Sequence, residues 1–227
     1  MPTSRRPGLQ ERWGYVFDSL ESIIPIYEMG SSRIAFFSDS RMRDEVVAFA
    51  VTAPGLVLDL GSGPGTMARV VSSTGATPVL VDASRKMLLA ACSELMIQAV
   101  FEALPFRDGA FGSVVAGFSL RDSRDLLAAV GEVRRVTVKD GRFGFCHLGK
   151  PDSFAKAVGL GIYIRVAVPI IGAVTGGRMG FRFGSLYDTY LLTLKNGTLA
   201  SVLETYFSQV KMKPRHLGGS IVVSCVA

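Results

Sequence analysis

The first part of the chain carries apolar residues at helical spacing. Phe17, Leu20 and Ile24 fall on one face of a helix, and a second helix is predicted over residues 40–51. Charged and aromatic residues separate these short apolar groups. We therefore predict an N-terminal helical cap over residues 1–50.

From residue 51 to residue 150, short apolar runs alternate with helical stretches. The predicted strands cover residues 56–60, 77–81, 113–118 and 142–148, and the predicted helices cover residues 66–73, 84–96 and 123–137. Alternation of this kind predicts an α/β fold in which helices connect the strands of a parallel sheet. We expect Ser84 to cap the second of these helices and Lys139–Gly141 to end the third.

Residues 151–200 follow a different pattern, because the stretch 154–177 is mostly apolar yet contains Arg165 near its middle. A helix that spans a membrane needs about 20 apolar residues with few charges, and a central arginine costs roughly 3 kcal/mol. We expect a mobile lid over an apolar pocket. The alternatives are a helix lying on a membrane surface, with Arg165, Arg178 and Arg182 at the lipid headgroups, and an ordinary buried insertion.

The C-terminal residues 201–227 contain two further predicted strands, over 205–211 and 220–226, which complete the sheet. The last strand is expected to be antiparallel to an otherwise mostly parallel sheet. A chain of 227 residues without a visible linker is long enough for one such domain with a full core.

The residues between the first predicted strand and helix carry the clearest ligand-binding pattern. Gly61, Gly63 and Gly65 alternate with other residues after an apolar run that contains Asp59. Glycine allows positive φ and a close approach of the backbone to a ligand. The spacing is neither the Gly-x-Gly-x-x-Gly of dinucleotide sites nor a loop that ends in Gly-Lys-Ser/Thr. Asp82, at the end of the second strand, can accept hydrogen bonds from both hydroxyls of a ribose.

This combination resembles the Rossmann-like class I methyltransferases that use S-adenosylmethionine (SAM). The resemblance implies that the glycine loop faces the methionine part of SAM, with Asp59 near its ammonium group and Asp82 on the ribose. A tight strand-to-helix turn without a ligand is the alternative. The candidate cofactor-binding residues are Asp59, Gly61, Ser62, Gly63, Gly65, Thr66, Asp82, Ala83, Phe101, Glu102 and Phe118.

Composition narrows the function classes only a little. The chain has 25 Lys and Arg against 19 Asp and Glu, a net charge of +6, but no dense basic tract, so nucleic acid is not indicated. Cys92, Cys146 and Cys225 form no Cys-x-x-Cys pair, so neither a disulfide framework nor a metal site is predicted. Residues 1–12 lack the apolar core of a secretory signal, and we expect a cytoplasmic protein.

Further motifs occur in the same order, and at the same spacing, as in one protein family. They are Glu102–Phe106, Gly117–Asp122, Glu132–Val136, Gly141-Arg142 and Lys150-Pro151, with Val16–Ser19, Tyr27-Glu28, Pro169–Gly172 and Tyr190-Leu191 outside the core. Together they resemble the ubiquinone/menaquinone biosynthesis C-methyltransferases over nearly the whole chain. The resemblance implies methyl transfer from SAM to a ring carbon of a reduced, prenylated quinone precursor at a membrane surface. It requires no metal and no covalent intermediate.

Such a reaction needs a base that removes the proton of the ring hydroxyl or a cationic group that favours the phenolate. The catalytic candidates are Arg121, His147 and Tyr190, and the alternative for Tyr190 is a wall of the pocket. Arg121 follows a strand at the carboxyl edge of the predicted sheet and matches the Leu-Arg-Asn segment of the family. His147 ends the next strand, where relatives usually have Glu, and its alternative is a structural role. Relatives usually carry an Asp for the adenine amine where this chain has Val100, and we expect the neighbouring Phe101 to substitute.

The expected partner is a lipophilic quinol, with peripheral contact to the inner face of the membrane, and a homodimer is left open. Two alternatives remain at this stage. The fold hosts methyltransferases for other small molecules, lipids and RNA. The chain could instead be a SAM-binding scaffold subunit without catalytic activity.

Overall fold

The computed structural model describes residues 7–91 and 93–227, with side chains described from residue 14 onward. The expectations for residues 1–6 and for Cys92 lie outside the described residues. Three helices open the described chain: α1 (Pro7–Ser22), α2 (Tyr27–Ile34) and α3 (Asp39–Ala50). A 3-10 turn at Ile24–Ile26, which contains Pro25, separates the first two.

A seven-stranded sheet forms the centre of the fold. Its strands are β1 (Leu56–Leu60), β2 (Thr77–Asp82), β3 (Met96–Gln98), β4 (Phe111–Gly117), β5 (Thr137–Leu148), β6 (Gln209–Arg215) and β7 (Ser220–Val226), in the order β3-β2-β1-β4-β5-β7-β6. The core pairs are parallel, and β7 is antiparallel to both of its neighbours. The prediction of a mostly parallel sheet with an antiparallel last strand is confirmed.

Side chains alternate between the two faces along each strand, so both faces of this sheet carry apolar side chains. Helices cover both of these faces. The helices that follow the strands are α4 (Thr66–Ser72), α5 (Arg85–Ala91), α6 (Leu126–Val136) and α10 (Asn196–Glu204). Phe143 and Phe145 pack with buried residues of α6 and α10 on one face. Cys146 points to the other face and packs with buried residues of α3 and α4.

Several element boundaries differ from the prediction, and three of the differences change how a segment is interpreted. The helix predicted over 84–96 ends at Ala91, and residues 96–98 instead pair with β2 as a short edge strand. The segment Lys139–Gly141 does not end a helix: α6 ends at Val136, and these residues bulge from β5, where the register to β4 shifts. The strand predicted over 205–211 runs over Gln209–Arg215, because the buried side chain of Phe207 holds the preceding turn against the core.

The apolar segment forms a nearly continuous helical stretch above the carboxyl edge of the sheet. It comprises α7 (Phe154–Ile162), a π-helical turn (Tyr163–Ala167), α8 (Val168–Gly176), a 3-10 stretch (Gly177–Gly184) and α9 (Ser185–Leu192). By length and composition it is able to cross a membrane, and only 17% of its most apolar window is buried. Its buried side chains, among them Ile164, Val168 and Phe183, pack with Ile23 of the N-terminal cap.

Candidate active site

The glycine loop after β1 forms the tight turn that its sequence predicts. Gly61, Gly63 and Gly65 have φ values of 61°, 54° and 81°, in the region that glycine adopts without strain. The backbone N–H groups of Gly61 and Ser62 donate to the carbonyl oxygen of Val81 at 2.7 Å and 3.1 Å. The loop is thereby fixed against the end of β2. A Cβ atom on Gly61 would lie 2.7 Å from Cζ of Phe101, so the loop leaves no room for a side chain there.

Asp82 lies opposite this loop and binds its backbone. Oδ2 accepts a hydrogen bond from the N–H of Gly63 at 2.9 Å, and Oδ1 accepts one from the N–H of Ser84 at 2.8 Å. Burial raises the pKa of Asp82, although both backbone hydrogen bonds favour its charged form.

Ser84, the residue whose N–H donates to Asp82, also caps the following helix. The Oγ atom of Ser84 accepts a hydrogen bond from the N–H of Met87 at 3.2 Å, so the predicted cap of α5 is present.

Asp59 is fully buried beneath the loop. Neither carboxylate oxygen accepts a full hydrogen bond from a described residue; burial raises the pKa of Asp59 to about 7, and the backbone N–H of Ala68 opposes this increase. The guanidinium of Arg43 also lowers this pKa. The side chain does not reach the wall of either cavity described below. A buried carboxylate of this kind favours a cation in its vicinity.

A cavity of about 90 Å³ lies between the glycine loop and the end of β2. Of the predicted cofactor-binding residues, those on its wall are Gly61, Gly63, Asp82, Ala83, Phe101 and Glu102. Val100, where relatives carry an acidic residue, also lines it. Glu102 accepts hydrogen bonds at Oε1 from the N–H groups of Arg124 and Asp125, at 2.6 Å and 3.0 Å. Its carboxylate therefore fixes the loop that follows β4.

The remaining predicted cofactor-binding residues lie off this wall. The buried hydroxyl of Ser62 has no hydrogen-bond partner among the described residues, and Gly65 adjoins the first turn of α4. Thr66 donates its hydroxyl to Glu28 at 2.8 Å on the outer side of the loop. Phe118 lines the neighbouring larger cavity, where the guanidinium of Arg43 lies 5.2 Å from the centre of its ring.

The larger cavity has a volume of about 440 Å³ and lies between the N-terminal cap, the carboxyl edge of the sheet and the stretch 154–192. Most of its wall is apolar, and its charged groups include Arg43, Arg121 and Asp122. It shares four wall residues with the smaller cavity: Val16, Leu20, Tyr27 and Asp122. The two cavities are therefore neighbours, so a ligand in one adjoins a ligand in the other.

The sequence profile of the methyltransferase domain family matches residues 58–145, which hold the glycine loop, Asp82 and Arg121. A demethylmenaquinone methyltransferase of Thermus thermophilus is 31% identical over 169 residues, which cover 70% of this chain and 77% of that protein. The chain belongs to the ubiquinone/menaquinone biosynthesis family of class I SAM-dependent methyltransferases. Its activity is methyl transfer, and its cofactor is SAM.

Two further proteins show how far this likeness to methyltransferases extends. A demethylmenaquinone methyltransferase of Mycobacterium sp. strain KMS is 29% identical over 218 residues, covering 91% of this chain and 90% of that protein. The crystal structure of a possible histamine N-methyltransferase from Thermotoga maritima superposes with a TM-score of 0.64 at 14% identity, covering 93% of this chain and 99% of that chain. That structure supports the fold of the methyltransferase and nothing finer.

Arg121 is the one predicted catalytic residue of this methyltransferase that lines the larger cavity. It follows β4 in a 3-10 turn over Leu120–Asp122, and its side chain is 9% exposed. Nη1 donates to the carbonyl oxygen of Phe118 at 2.5 Å, and Nε lies 3.4 Å from Oδ1 of Asp122. The guanidinium is therefore held at the carboxyl edge of the sheet, as the sequence predicts.

His147 and Tyr190 are placed away from both cavities of the methyltransferase. His147 lines a third cavity of about 310 Å³ near residues 192–194, and burial lowers its pKa to about 3. Its side chain lies on the same face of β5 as Phe145, which the alternation along the strand could have indicated. Tyr190 is buried and donates its hydroxyl to the carbonyl oxygen of Ala157 at 2.6 Å, which joins α9 to α7.

Proposed function

We propose that this enzyme transfers a methyl group from SAM to a ring carbon of a reduced, prenylated quinone precursor. The observation that supports this acceptor is the apolar cavity of about 440 Å³ beside the glycine loop. It is large enough for a ring with part of an apolar chain, and it shares four wall residues with the smaller cavity. Relatives named demethylmenaquinone methyltransferases favour the same acceptor class.

In this proposal the smaller cavity forms part of the SAM site, because its volume of about 90 Å³ is below the roughly 300–1,000 Å³ of a whole small-molecule pocket. Gly61 and Gly63 bring backbone to the ligand without side chains, Asp82 binds the ribose, and Phe101 lies against the adenine. The carboxylate of Asp59 forms no full hydrogen bond among the described residues, and in its ionised form it provides negative charge beneath the loop for the ammonium group. When bound, SAM supplies a methyl group on a positively charged sulfur. The protein then has to align the acceptor and exclude water.

The larger cavity then holds the acceptor, with its apolar part against the buried side chains of the cap and the stretch 154–192. The ring hydroxyl lies towards Arg121 and Arg43, because a cationic group stabilises the phenolate that makes a ring carbon nucleophilic. Tyr190 supports the lid by holding α7 and α9 together. His147 is neutral and supports the core rather than the acceptor.

Peripheral contact with the inner face of the cytoplasmic membrane is part of the proposal. Six apolar residues on the helical stretch follow one another at intervals of four and are 44% to 80% exposed: Phe154, Val158, Ile162, Val166, Ile170 and Val174. In an α-helix such a row drifts by about 40° every four residues. The wider π-helical turn at Tyr163–Ala167 reduces this drift and keeps the row facing outward.

The charges beside this row suit an anionic bilayer. Residues 153–187 contain four basic residues, Lys156, Arg165, Arg178 and Arg182, and no acidic residue. All four basic residues are exposed. Phe36 and Leu217, which line the larger cavity, are 62% and 79% exposed, and the ring of Phe36 stacks on Tyr163 at 5.5 Å. The mouth of the cavity thus adjoins the apolar row, so a lipid quinol enters from the bilayer.

The acceptor is tested with methyl-labelled SAM and a reduced, prenylated naphthohydroquinone, with a total lipid extract, RNA and polar metabolites in parallel. Mass spectrometry locates the label. Label in the quinol or in a lipid quinone supports the proposal. Label confined to RNA or polar metabolites assigns another acceptor, and SAM binding without label in any sample indicates a scaffold subunit.

Membrane contact is tested by sedimentation with vesicles of anionic or neutral lipid. We expect binding to anionic vesicles that weakens with salt and with the double substitution Ile162→Ser and Ile170→Ser. Leu95→Ser is the control, because Leu95 is 42% exposed and lies outside this row. Equal binding of the double variant contradicts the proposal. Sedimentation velocity measures the oligomeric state of both proteins. If the wild type is a homodimer and the double variant is a monomer, the apolar row is a dimer interface, and the proposed membrane contact is contradicted.

A further inference from the structure

A third cavity lies at the carboxyl edge of the sheet, next to the turn that follows β4. Its volume is about 310 Å³, at the lower end of the range for small-molecule sites. This turn, the start of α6, the end of β5, residues 192–194 and the first turns of α10 form its wall. In the proposed function it holds neither SAM nor the acceptor. Half of its lining residues are aliphatic: Leu120, Leu126, Leu127, Leu192, Leu194, Leu199 and Val202.

The turn after β4 is a common wall of all three cavities. Arg121 lines the third cavity and the larger cavity, and it is the one described residue that these two share. Ser123 and Arg124 line the third cavity and the smaller cavity. A molecule in the third cavity therefore adjoins the segment that lines both ligand cavities of the proposed reaction.

Two buried polar atoms of residues on this wall lack a hydrogen-bond partner among the described residues. One is Nδ1 of His147, a residue that is 4% exposed. The other is Nε of Arg121, which lies at ion-pair distance, 3.4 Å, from Oδ1 of Asp122. Most buried polar groups in proteins have a partner. Two such atoms beside one cavity therefore indicate a place for a molecule that supplies the partner.

The charges on the wall favour an anion. Arg121 and Arg124 each carry a positive charge, and Asp125 carries a negative charge. The carboxylate of Asp125 caps α6, because Oδ1 accepts hydrogen bonds from two backbone N–H groups at 3.0 Å and 3.2 Å. Burial and the charge of Arg121 lower the pKa of His147 to about 3, so its imidazole is neutral. Asp122 lines the other two cavities. The lining residues thus have one net positive charge, which a monoanion balances.

The donors on this wall suit a carboxylate. The guanidinium of Arg121 has five N–H groups, of which one on Nη1 donates to the carbonyl oxygen of Phe118. Arginine forms strong, charge-assisted hydrogen bonds with carboxylates, and an imidazole N–H donates to them as well. An inorganic anion has no apolar surface for the aliphatic half of the wall. A carboxylate with an apolar body satisfies both halves.

We propose that the third cavity is an effector site for a small organic monocarboxylate with an apolar body, and that its occupation weakens binding of the acceptor. The carboxylate binds Arg121 and His147, and the body lies against the aliphatic residues. The effector site stands on the cavity itself, whereas the effect on the acceptor rests on the proposed function. That effect arises because a carboxylate on Arg121 offsets the charge that this guanidinium directs at the ring oxygen.

The two histidines of the chain report which cavity a carboxylate occupies. His147 lines the third cavity, and His216 lines the larger one. The probe is 2-naphthoate, titrated into protein labelled with ¹⁵N-histidine. We expect the imidazole resonances of His147 to shift to saturation while those of His216 stay in place. 2-Naphthalenemethanol has the same body without the charge, and acetate has the charge without the body. Each should bind about tenfold more weakly or worse.

Thr198→Trp fills the third cavity from its rim. Thr198 is exposed in the first turn of α10 and lines this cavity, so a larger side chain there leaves the core undisturbed. Thr205→Trp is the matched control, because Thr205 is exposed at the end of the same helix and lines none of the three cavities. We expect the Kd of 2-naphthoate to rise by about tenfold or more in Thr198→Trp and to stay within about twofold in the control.

The effect on the acceptor is measured as binding, with a reduced, prenylated naphthohydroquinone under anaerobic conditions and without SAM. We expect the Kd of the hydroquinone to rise by about fivefold or more and to reach a plateau as 2-naphthoate saturates its site. The hydroquinone should raise the Kd of 2-naphthoate by the same factor, because coupling between two sites is reciprocal. In Thr198→Trp the effect should be absent.

A shift of His216 in place of His147, equal binding of the neutral alcohol, or an unchanged Kd in Thr198→Trp overturns the effector site. A hydroquinone Kd that stays constant contradicts the coupling. So does one that rises without a plateau, because the two molecules then compete for the larger cavity. If the hydroquinone does not bind to the wild type, the proposed acceptor is wrong. That outcome is distinguishable, because the resonances of His147 are measured without the hydroquinone.

Discussion

Asp82 accepts a hydrogen bond at Oδ2 from the backbone N–H of Gly63, at 2.9 Å. One carboxylate thereby joins the end of β2 to the glycine loop that follows β1, which are neighbouring parallel strands. The same side chain lines the smaller cavity. The shape of the loop and the ligand-facing carboxylate are therefore coupled, and a change at Asp82 affects both.

Substitution Asp82→Ala is expected to weaken SAM binding by at least tenfold. A hydrogen bond to a charged group contributes about 1.5–3 kcal/mol, which corresponds to roughly 10- to 150-fold in affinity. Isothermal titration calorimetry measures the Kd. Asp140→Asn, on the bulge of β5, serves as the control and should bind as the wild type does. An unchanged Kd in the Asp82 variant contradicts the assignment of this residue to the cofactor.

Gly61→Ala is expected to abolish measurable SAM binding. The residue has a φ of 61°, and a Cβ atom there would lie 2.6 Å from Oγ of Ser119 and 2.7 Å from Cζ of Phe101. Gly75→Ala is a matched control, because Gly75 has a φ of 81° and nothing within 4 Å of the added Cβ. Both variants carry the strain of positive φ, about 1–2 kcal/mol. Loss of binding in both, or in neither, contradicts a specific role of Gly61.

The sequence predicted the parallel core of the sheet because its strands are strongly apolar runs separated by helical stretches. The three-residue strand β3 could not be predicted in this way, since Met96–Gln98 is short and only partly buried. The bulge at Lys139–Gly141 resembles the glycine stop of a helix in sequence. Only the pairing of β5 with β4 distinguishes the two.

The sequence predicts the parts of the candidate site that directly follow neighbouring strands. The glycine loop and Asp82 follow neighbouring strands, so their proximity follows from the topology. The boundary between the two cavities depends instead on α1 and α2, which bring Val16, Leu20 and Tyr27 to the same walls as Asp122. No spacing in the sequence indicates that arrangement.

The burial of Asp59 makes the stability of the protein depend on pH. Its pKa is raised from 3.8 to about 7, so the folded state binds a proton that the unfolded state releases between these values. Stability is therefore lost as the pH rises through this window. Between pH 5 and pH 8, the stability of Asp59→Asn relative to the wild type should rise by about 2.6 kcal/mol.

Urea unfolding at both pH values measures this difference directly. Asp122 also has a raised pKa of the same sign, but it is present in both proteins and cancels in the comparison. Asp82 interacts electrostatically with Asp59, so its contribution is part of the measured difference. The unfolding free energies of the wild type and the variant are compared at each pH. If their difference is the same at pH 5 and pH 8, the raised pKa of Asp59 is contradicted.

His147→Gln should leave the pH dependence of methyl transfer unchanged. Burial lowers the pKa of His147 to about 3, so the imidazole is neutral throughout the working range and is a weak base. It also lines the third cavity rather than either ligand cavity. We expect kcat within about threefold of the wild type, as for a residue outside the proton path. Loss of one limb of the pH–rate profile would assign the proton acceptor to His147 instead.

Gly180→Ala should separate acceptor turnover from SAM binding. Gly172 and Gly180 are in close backbone contact, and a Cβ atom on Gly180 would lie 2.8 Å from the backbone N of Ala173. The substitution therefore pushes α8 away from the 3-10 stretch that carries Phe183, a wall residue of the larger cavity. We expect acceptor kcat/KM to fall by about tenfold, because misplacing the wall disturbs alignment, while the Kd for SAM stays unchanged.

Gly14→Ala is the control for this variant, because Gly14 is helical, exposed and has nothing within 4 Å of an added Cβ atom. Alanine is the better helix former by about 1 kcal/mol, so this control should melt at the same temperature or higher. An equal loss of SAM binding and acceptor turnover in Gly180→Ala would mean that the helical stretch 154–192 supports the whole fold. Retained SAM binding with impaired turnover identifies that stretch as the wall of the acceptor site, positioned by the contact between two glycines.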